Sequence, residues 1–321
     1  MKFLFLFIIS TSYIFANAHI FVYHRFADDR YKSANTTIKE LTKQFDYFKE
    51  NNYKVVPLSK ILDKLKNKEE IPNKWVALTI DDAYKSFYDH GLEIFKKYNY
   101  PFSLYVYVEA SEKKYGDFMN WKQIKEASKY GEIGLHSYSH GKLQNFTKEE
   151  LINDTQKAYD ILEKNTGIKT STYVYPYGEY NESVKRILKD NFQFEAILNQ
   201  NTGSVNKKTD IFDIPRIALV GDVNINHKLR YKTFDAQWIE PKNFPKDGIL
   251  KRIHVKVDKK YKKLKLYVTN QGWRDVKVVN GIVNLELNTP LKRDRTRVMI
   301  GPDVFTISNN VINKIKTKKG K

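Results

Sequence analysis

Short apolar runs alternate with amphipathic stretches from His19 to Leu198, and this alternation restricts the fold more than any other feature of the chain. The runs "HIFVYH" (His19–His24), "KVVPL", "WVALTI" (Trp75–Ile80), "FSLYVYV" (Phe102–Val108), "GEIGLH" (Gly131–His136), "STYVYP" (Ser171–Pro176) and "FEAIL" (Phe194–Leu198) read as strands. Between the first two, Ile38, Leu41, Phe45 and Phe48 recur at helical spacing. Further helices are expected around Ser59–Lys66, Phe87–Tyr98, Trp121–Lys129, Lys148–Thr166 and Glu182–Lys189. Strand and helix in turn imply an α/β fold, a parallel sheet with helices outside, either open or closed as a barrel. In such sheets the chemistry gathers where strands end and loops begin.

Beyond about Phe234 the texture changes. Helical periodicity fades, and alternating runs such as "LKRIHVKV" (Leu250–Val257), "KLKLYVT" (Lys263–Thr269), "IVNLEL" (Ile282–Leu287) and "RTRVMI" (Arg295–Ile300) are separated by Asn, Gly and Pro. This is the pattern of a small antiparallel, sandwich-like β domain. The expected organisation is a leader over 1–18, an α/β domain over 19–232, a β domain over 233–310 and a basic tail over 311–321.

The leader reading rests on Lys2, the apolar run Phe3–Ile9 and the small-x-small triplet Ala16, Asn17, Ala18, which together suggest export with cleavage after Ala18. The apolar run is short for a membrane span. Without cysteine the chain has neither disulfides nor a lipid-bearing Cys, so a periplasmic or secreted location fits. A formal charge of +19 favours anionic surroundings, including a peripheral association with membrane or cell wall. The 56 Lys and Arg are interleaved with 37 acidic residues, and an exported chain seldom meets nucleic acid, which argues against that partner.

Two stretches carry chemistry. "ALTIDDAYKS" (Ala77–Ser86) ends a strand on adjacent carboxylates, Asp81 and Asp82, whose repulsion calls for a cation or a proton. "GLHSYSH" sets His136 and His140 four apart, so that two imidazoles can converge on one ion if an acidic ligand joins them.

With "YPYG" (Tyr175–Gly178), these stretches resemble the motifs of the polysaccharide deacetylases, the NodB-homology or carbohydrate esterase family 4 enzymes. "FVYHRF" and "VYPYGEYN" look most like the poly-N-acetylglucosamine branch. The resemblance spans about residues 19–225 and implies a distorted (β/α)7 barrel. It further implies that Asp82, His136 and His140 hold a divalent metal, usually zinc, that Asp81 is the general base, and that the Tyr177 N–H helps stabilise the oxyanion. The implied reaction is hydrolysis of N-acetyl groups on a glucosamine-containing polysaccharide. Peptidoglycan, O-acetyl groups and a non-catalytic glycan-binding role are the alternatives.

Three positions depart from the family pattern. Ala83 stands where glycine is usual, and Val174 where an arginine usually orients the base, leaving Arg216 in "IPRIAL" as its substitute. No clear copy exists of the motif that supplies the histidine general acid. His227 in "NINHKL" matches its spacing loosely, and His24 at the end of the first strand is the other candidate. The β domain is expected to contact glycan or an envelope partner, with Trp238 and Trp273 as either a carbohydrate platform or core.

Overall fold

The computed structural model describes residues 17–316, so most of the expected leader and the end of the basic tail lie outside the described residues. Seven parallel strands form the first domain: β1 (His19–Tyr23), β2 (Trp75–Ile80), β3 (Ser103–Val106), β4 (Glu132–Leu135), β5 (Thr172–Val174), β6 (Ala196–Leu198) and β7 (Ile217–Ala218). Their order is β7-β1-β2-β3-β4-β5-β6, with a short strand Lys54–Val55 added beside β2. The gap between β6 and β7 is bridged by the loop that joins them, through Ile197 N–H to Ile211 O (2.9 Å) and Asn199 N–H to Ile214 O (2.9 Å). The result is the expected distorted (β/α)7 barrel.

The strands are near-continuous apolar runs because both of their faces are covered, the rule for parallel sheets. Tyr23, Tyr105, Tyr173 and Tyr175 are fully buried packing residues. Helix α1 (Ile38–Glu50) shows how local sequence sets an element. Thr37 and Glu40 form a reciprocal capping box, and Leu41, Phe45 and Phe48 face the core. The segment after Asp81 and Asp82 differs from the plain helix expected there. It opens with a π-helical turn, Phe87–Gly91, before continuing as Leu92–Tyr98.

The second domain comprises β8 (Gln237–Glu240), β9 (Ile249–Lys256), β10 (Lys263–Val268), β11 (Gly272–Lys277), β12 (Ile282–Pro290), β13 (Arg295–Gly301) and β14 (Thr306–Asn313). Strands β8-β9-β12 form one sheet, and Lys232–Thr233, β14, β13, β10 and β11 form the other. Leu250, Ile253 and Val255 of the first sheet share an apolar cluster with Leu264, Leu266 and Ile300 of the second, which gives the sandwich-like packing. Strand β14 runs to Asn313, so residues 311–313 belong to the sheet and not to a tail that starts at 311.

The expected cleavage point after Ala18 also meets a structural difference. Ala18 is fully buried and exchanges both backbone hydrogen bonds with Val205 (2.9 and 2.8 Å), while Asn17 Oδ1 accepts from Ser204 Oγ (3.0 Å). Removing these two residues would strip a pairing at the strand-start end of the barrel.

Candidate metal centre

Asp81 and Asp82 follow β2 directly and have different surroundings. The Asp81 carboxylate, 2% exposed, is held by Arg216 through two parallel bonds, Nη1 to Oδ1 and Nη2 to Oδ2, both 2.7 Å. Arg216 precedes Ile217, which pairs with Phe21 in the middle of β1, so the guanidinium rises from inside the barrel beneath the strand ends. Its remaining donors go to Asn199 O (2.8 Å) and Thr79 Oγ1 (2.9 Å). Burial by itself would raise the Asp81 carboxyl, but the Arg216 charge and fork, with His136 and His24 nearby, outweigh it and hold the group below the ordinary carboxylate range. Val174 therefore leaves no gap, since the arginine arrives from a different strand.

Asp82 turns the other way, with a left-handed φ of 71° continued by Ala83 at 58°. Its Oδ1 lies 3.4 Å from His136 Nε2 and 3.1 Å from His140 Nε2, and the two imidazole nitrogens are 3.2 Å apart. Asp82 Oδ1 is buried without a hydrogen-bond partner of good geometry, and both ring nitrogens converge on it and on each other. A cation satisfies all of them, so the donor set fits a metal ion. Burial, the largest effect, pushes the His136 imidazole down to about 4, which keeps it neutral as a ligand must be.

Supporting contacts fix these rings. His136 Nδ1 lies 2.9 Å from the Val174 carbonyl, an arrangement that aims Nε2 at Asp82. The loop between the histidines is held by Asp154, whose two oxygens accept from the Tyr138 and Ser139 N–H groups (3.0 Å each). Asp154 was not foreseen, since nothing local marks a helix carboxylate that serves a loop. Ser137, His140 and Tyr177 join Asp82 and Ala83 at positive φ, so five residues of the site hold a left-handed backbone that L side chains rarely adopt.

Of the two candidate acids, His24 reaches the site and His227 does not. His24 Nε2 is 4.0 Å from Asp81 Oδ2, and its other neighbour is Gln200 Nε2 at 3.4 Å. His227 is exposed and packs on Phe305 and Tyr231, with ring centroids at 4.8 and 6.3 Å. Tyr231 O in turn contacts His19 Nε2, at the start of β1 and the opposite end of that strand from Asp81. The short helix Ile225–Lys228 carries His227 away from the site, which corrects the expectation drawn from its spacing.

Tyr177 sits in the turn after β5 with φ 60°, its ring edge-on to His140 at 4.5 Å. The hydrogen bonds of this turn use the neighbouring amides, Gly178 N–H to Tyr175 O and Glu179 N–H to Pro176 O (2.8 and 3.0 Å). Rings continue around the centre, from Tyr177 through His140, Tyr107 and Phe118 to Tyr84, with successive centroids 4.5 to 5.5 Å apart.

Fold and centre together define an α/β barrel with a carboxylate–imidazole metal site at its strand ends. Within the barrel, residues 68–193 match the family model described as polysaccharide deacetylase. Over 241 residues the chain is 25% identical to the poly-β-1,6-N-acetyl-D-glucosamine N-deacetylase of Escherichia coli K12, which covers 62% of this chain and 35% of that protein. The chain thus spans about a third of the length of the first curated relatives it matches. The enzyme of the same name from Staphylococcus epidermidis is 24% identical and is covered to 73%. Among solved structures, the Streptococcus pyogenes deacetylase PplD superposes at a TM-score of 0.61 with 21% identity, covering 67% of this chain and 97% of that one. IcaB from Ammonifex degensii superposes at 0.56 with 24% identity, covering 66% and 94%. The family-matched segment contains Asp81, Asp82, His136, His140 and Tyr177, while His24 and Arg216 come from strands outside it.

Proposed function

We propose that the chain is a zinc-dependent N-deacetylase of a glucosamine-containing polysaccharide of the poly-N-acetylglucosamine class. The observation that carries this reading is the division of labour between adjacent carboxylates, Asp81 locked by Arg216 and Asp82 facing two imidazoles. Ligand atoms 3.1, 3.2 and 3.4 Å apart match one face of a tetrahedron with bonds of about 2 Å, the length usual for zinc. When bound, the ion supplies Lewis acidity, polarising the acetyl carbonyl and easing the deprotonation of water.

The remaining steps belong to the chain. Asp81 accepts the proton of the attacking water, and Arg216 fixes the plane of that carboxylate while leaving each oxygen a free lone pair. The Tyr177 N–H donates to the oxyanion, a contact worth about 3 kcal/mol at such sites. His24 returns a proton to the departing amine, the role for which His227 was the other candidate.

The aromatic arc supports a sugar-chain substrate, because pyranose rings stack on such faces. Poly-β-1,6-N-acetyl-D-glucosamine is the substrate printed in the relatives' names. A cleft of about 850 Å³ between the domains, lined by Trp238, Phe244, Tyr180 and several asparagines, would take a distal stretch of the same polymer. Trp273 instead packs on Tyr267 at 5.3 Å. Export, read from the leader-like N-terminus, and the charge of +19 are consistent with work on an anionic cell envelope.

Acetate release from poly-N-acetylglucosamine oligomers and from peptidoglycan, with zinc, with chelator and in Asp81→Asn, tests this reading. Zinc-dependent release from the oligomers that the substitution abolishes supports it. Release from peptidoglycan alone would replace the substrate, and none from either polymer with a full metal site would make the barrel a binding scaffold.

A further inference from the structure

The two domains meet along a largely polar seam. Each has its own apolar cluster, and the contacts across the seam include Asn309 Nδ2 to Thr202 O (3.2 Å), Asn313 Nδ2 to Tyr180 O (3.3 Å) and Thr233 Oγ1 to Ser204 O (2.6 Å). One contact differs in kind. Arg295, at the start of β13, projects into the barrel side and donates through Nη1 to the carbonyl of Tyr177 and through Nη2 to Asn201 Oδ1 (3.2 Å). Burial is the largest influence on this guanidinium and pushes it down to about 10, with Arg297 adding to the effect. Its Nε is buried without a partner. Among the described residues no carboxylate is bonded to it, although Glu179 lies close enough to act on it at a distance. A mostly buried cation spent on two neutral acceptors is costly unless their positions matter.

Both acceptors lie beside the catalytic groups. The Tyr177 carbonyl belongs to the residue whose N–H faces the developing oxyanion, in a turn with consecutive positive φ values of 60° and 62° at Tyr177 and Gly178. That turn has little room to relax. A Cβ on Gly178 would come within 2.6 Å of the Gln200 backbone N. Asn201 N–H bonds Asn199 Oδ1 (2.7 Å), and Asn199 O accepts from Arg216 Nε (2.8 Å), the arginine that holds Asp81. One fork from the second domain therefore grips the oxyanion turn and the segment that anchors the base.

The geometry points to Arg295 as a positioning residue for the deacetylase site, so that the second domain completes the catalytic turn. The inference deepens the proposed function and rests on the Tyr177 role given there. It also separates the two domains' contributions. The second domain would act on kcat through Arg295 and on polymer binding through the cleft.

The test uses the full chain. Arg295→Gln is expected to lower kcat about 10- to 100-fold with KM for a short oligomer within twofold and one zinc per chain retained, since misplacing a reacting contact by under an ångström costs in that range. Arg295→Ala should regain part of the loss when guanidinium is added, and Arg295→Lys should fall between. Phe305→Ala, which loosens the far end of the seam at Tyr231 and Arg230, should leave kcat near that of the parent. Wild-type kcat in Arg295→Gln, or an equal loss in Phe305→Ala, would overturn the inference. The Tyr177 and Gly178 amide resonances give a readout that does not need turnover. They should shift in Arg295→Gln and stay in place in Phe305→Ala, and unmoved resonances would sink the positioning role even if no deacetylation were found in any chain.

Discussion

The barrel and the much shorter second domain use their chain in opposite ways. In the barrel, His24, Asp81, Asp82, His136 and Tyr177 all stand within three residues of a strand's end, with His140 on the loop that follows β4, and buried runs on both faces hold those ends rigid. In the second domain the strands alternate inward apolar and outward charged residues, as in β9, and the contacts near the chemistry come from the one face that meets the barrel. The contrast suggests that a parallel core fixes reactive groups to a fraction of an ångström, while an accessory sheet reaches the same site through single long side chains.

The comparison can be broken most severely inside the barrel. Arg216→Ala leaves the Asp81 carboxylate buried and unpaired, and should cost about 3–5 kcal/mol in urea unfolding. If the loss were under 1 kcal/mol, Asp81 would not depend on its fork. Asp81→Asn keeps the shape and the ion but should lower acetate release about 10³-fold, which steady-state kinetics on zinc-loaded protein would measure.

At the seam the expected effect is a pH dependence. Burial raises the Asp213 carboxyl to about 6, despite bonds from Tyr180 and Asn199, so the folded chain binds that proton more tightly than the unfolded one. Its contribution to stability is therefore full below about pH 4 and is lost as pH rises through 6, by up to about 3 kcal/mol for a rise from 3.8 to about 6. Asp213→Asn should remove this slope from unfolding curves taken between pH 4 and 7.

The choice of acid sharpens the comparison further. His24→Ala should reduce kcat about 10²-fold while retaining zinc, whereas His227→Ala should change it less than twofold. The smallest effect is expected in the second domain. Trp238→Ala should raise KM a few-fold for long oligomers and leave short ones unaffected, measured over a length series.

What was legible in the sequence follows the same division. The Asp pair and the two histidines are local patterns at strand ends, legible from residue type and spacing, while the turn at Tyr177 was legible only through the resemblance of its motif to the family's. Arg216 was found because its Pro-Arg segment resembles one in the poly-N-acetylglucosamine branch, which made it the obvious substitute at Val174. His24 and His227 could not be separated, because the choice depends on barrel closure, which sets the end of β1 beside β2 and sends the helix around His227 toward the strand starts. Strand β14 escaped notice because Ser308, Asn309 and Asn310 interrupt its apolar pattern. Asn309 and Asn310 spend their side chains on backbone carbonyls, and Ser308 on Trp238. Asp154 and Arg295 act on loops distant in sequence, and no local pattern announces such contacts.

The contact between His136 and the Val174 carbonyl has an evolutionary consequence. Every residue type brings the same carbonyl, so substitutions at 174 can drift without altering how the ligand ring is aimed. The Val174 side chain answers to packing in the buried core, while the carbonyl answers to the path of β5.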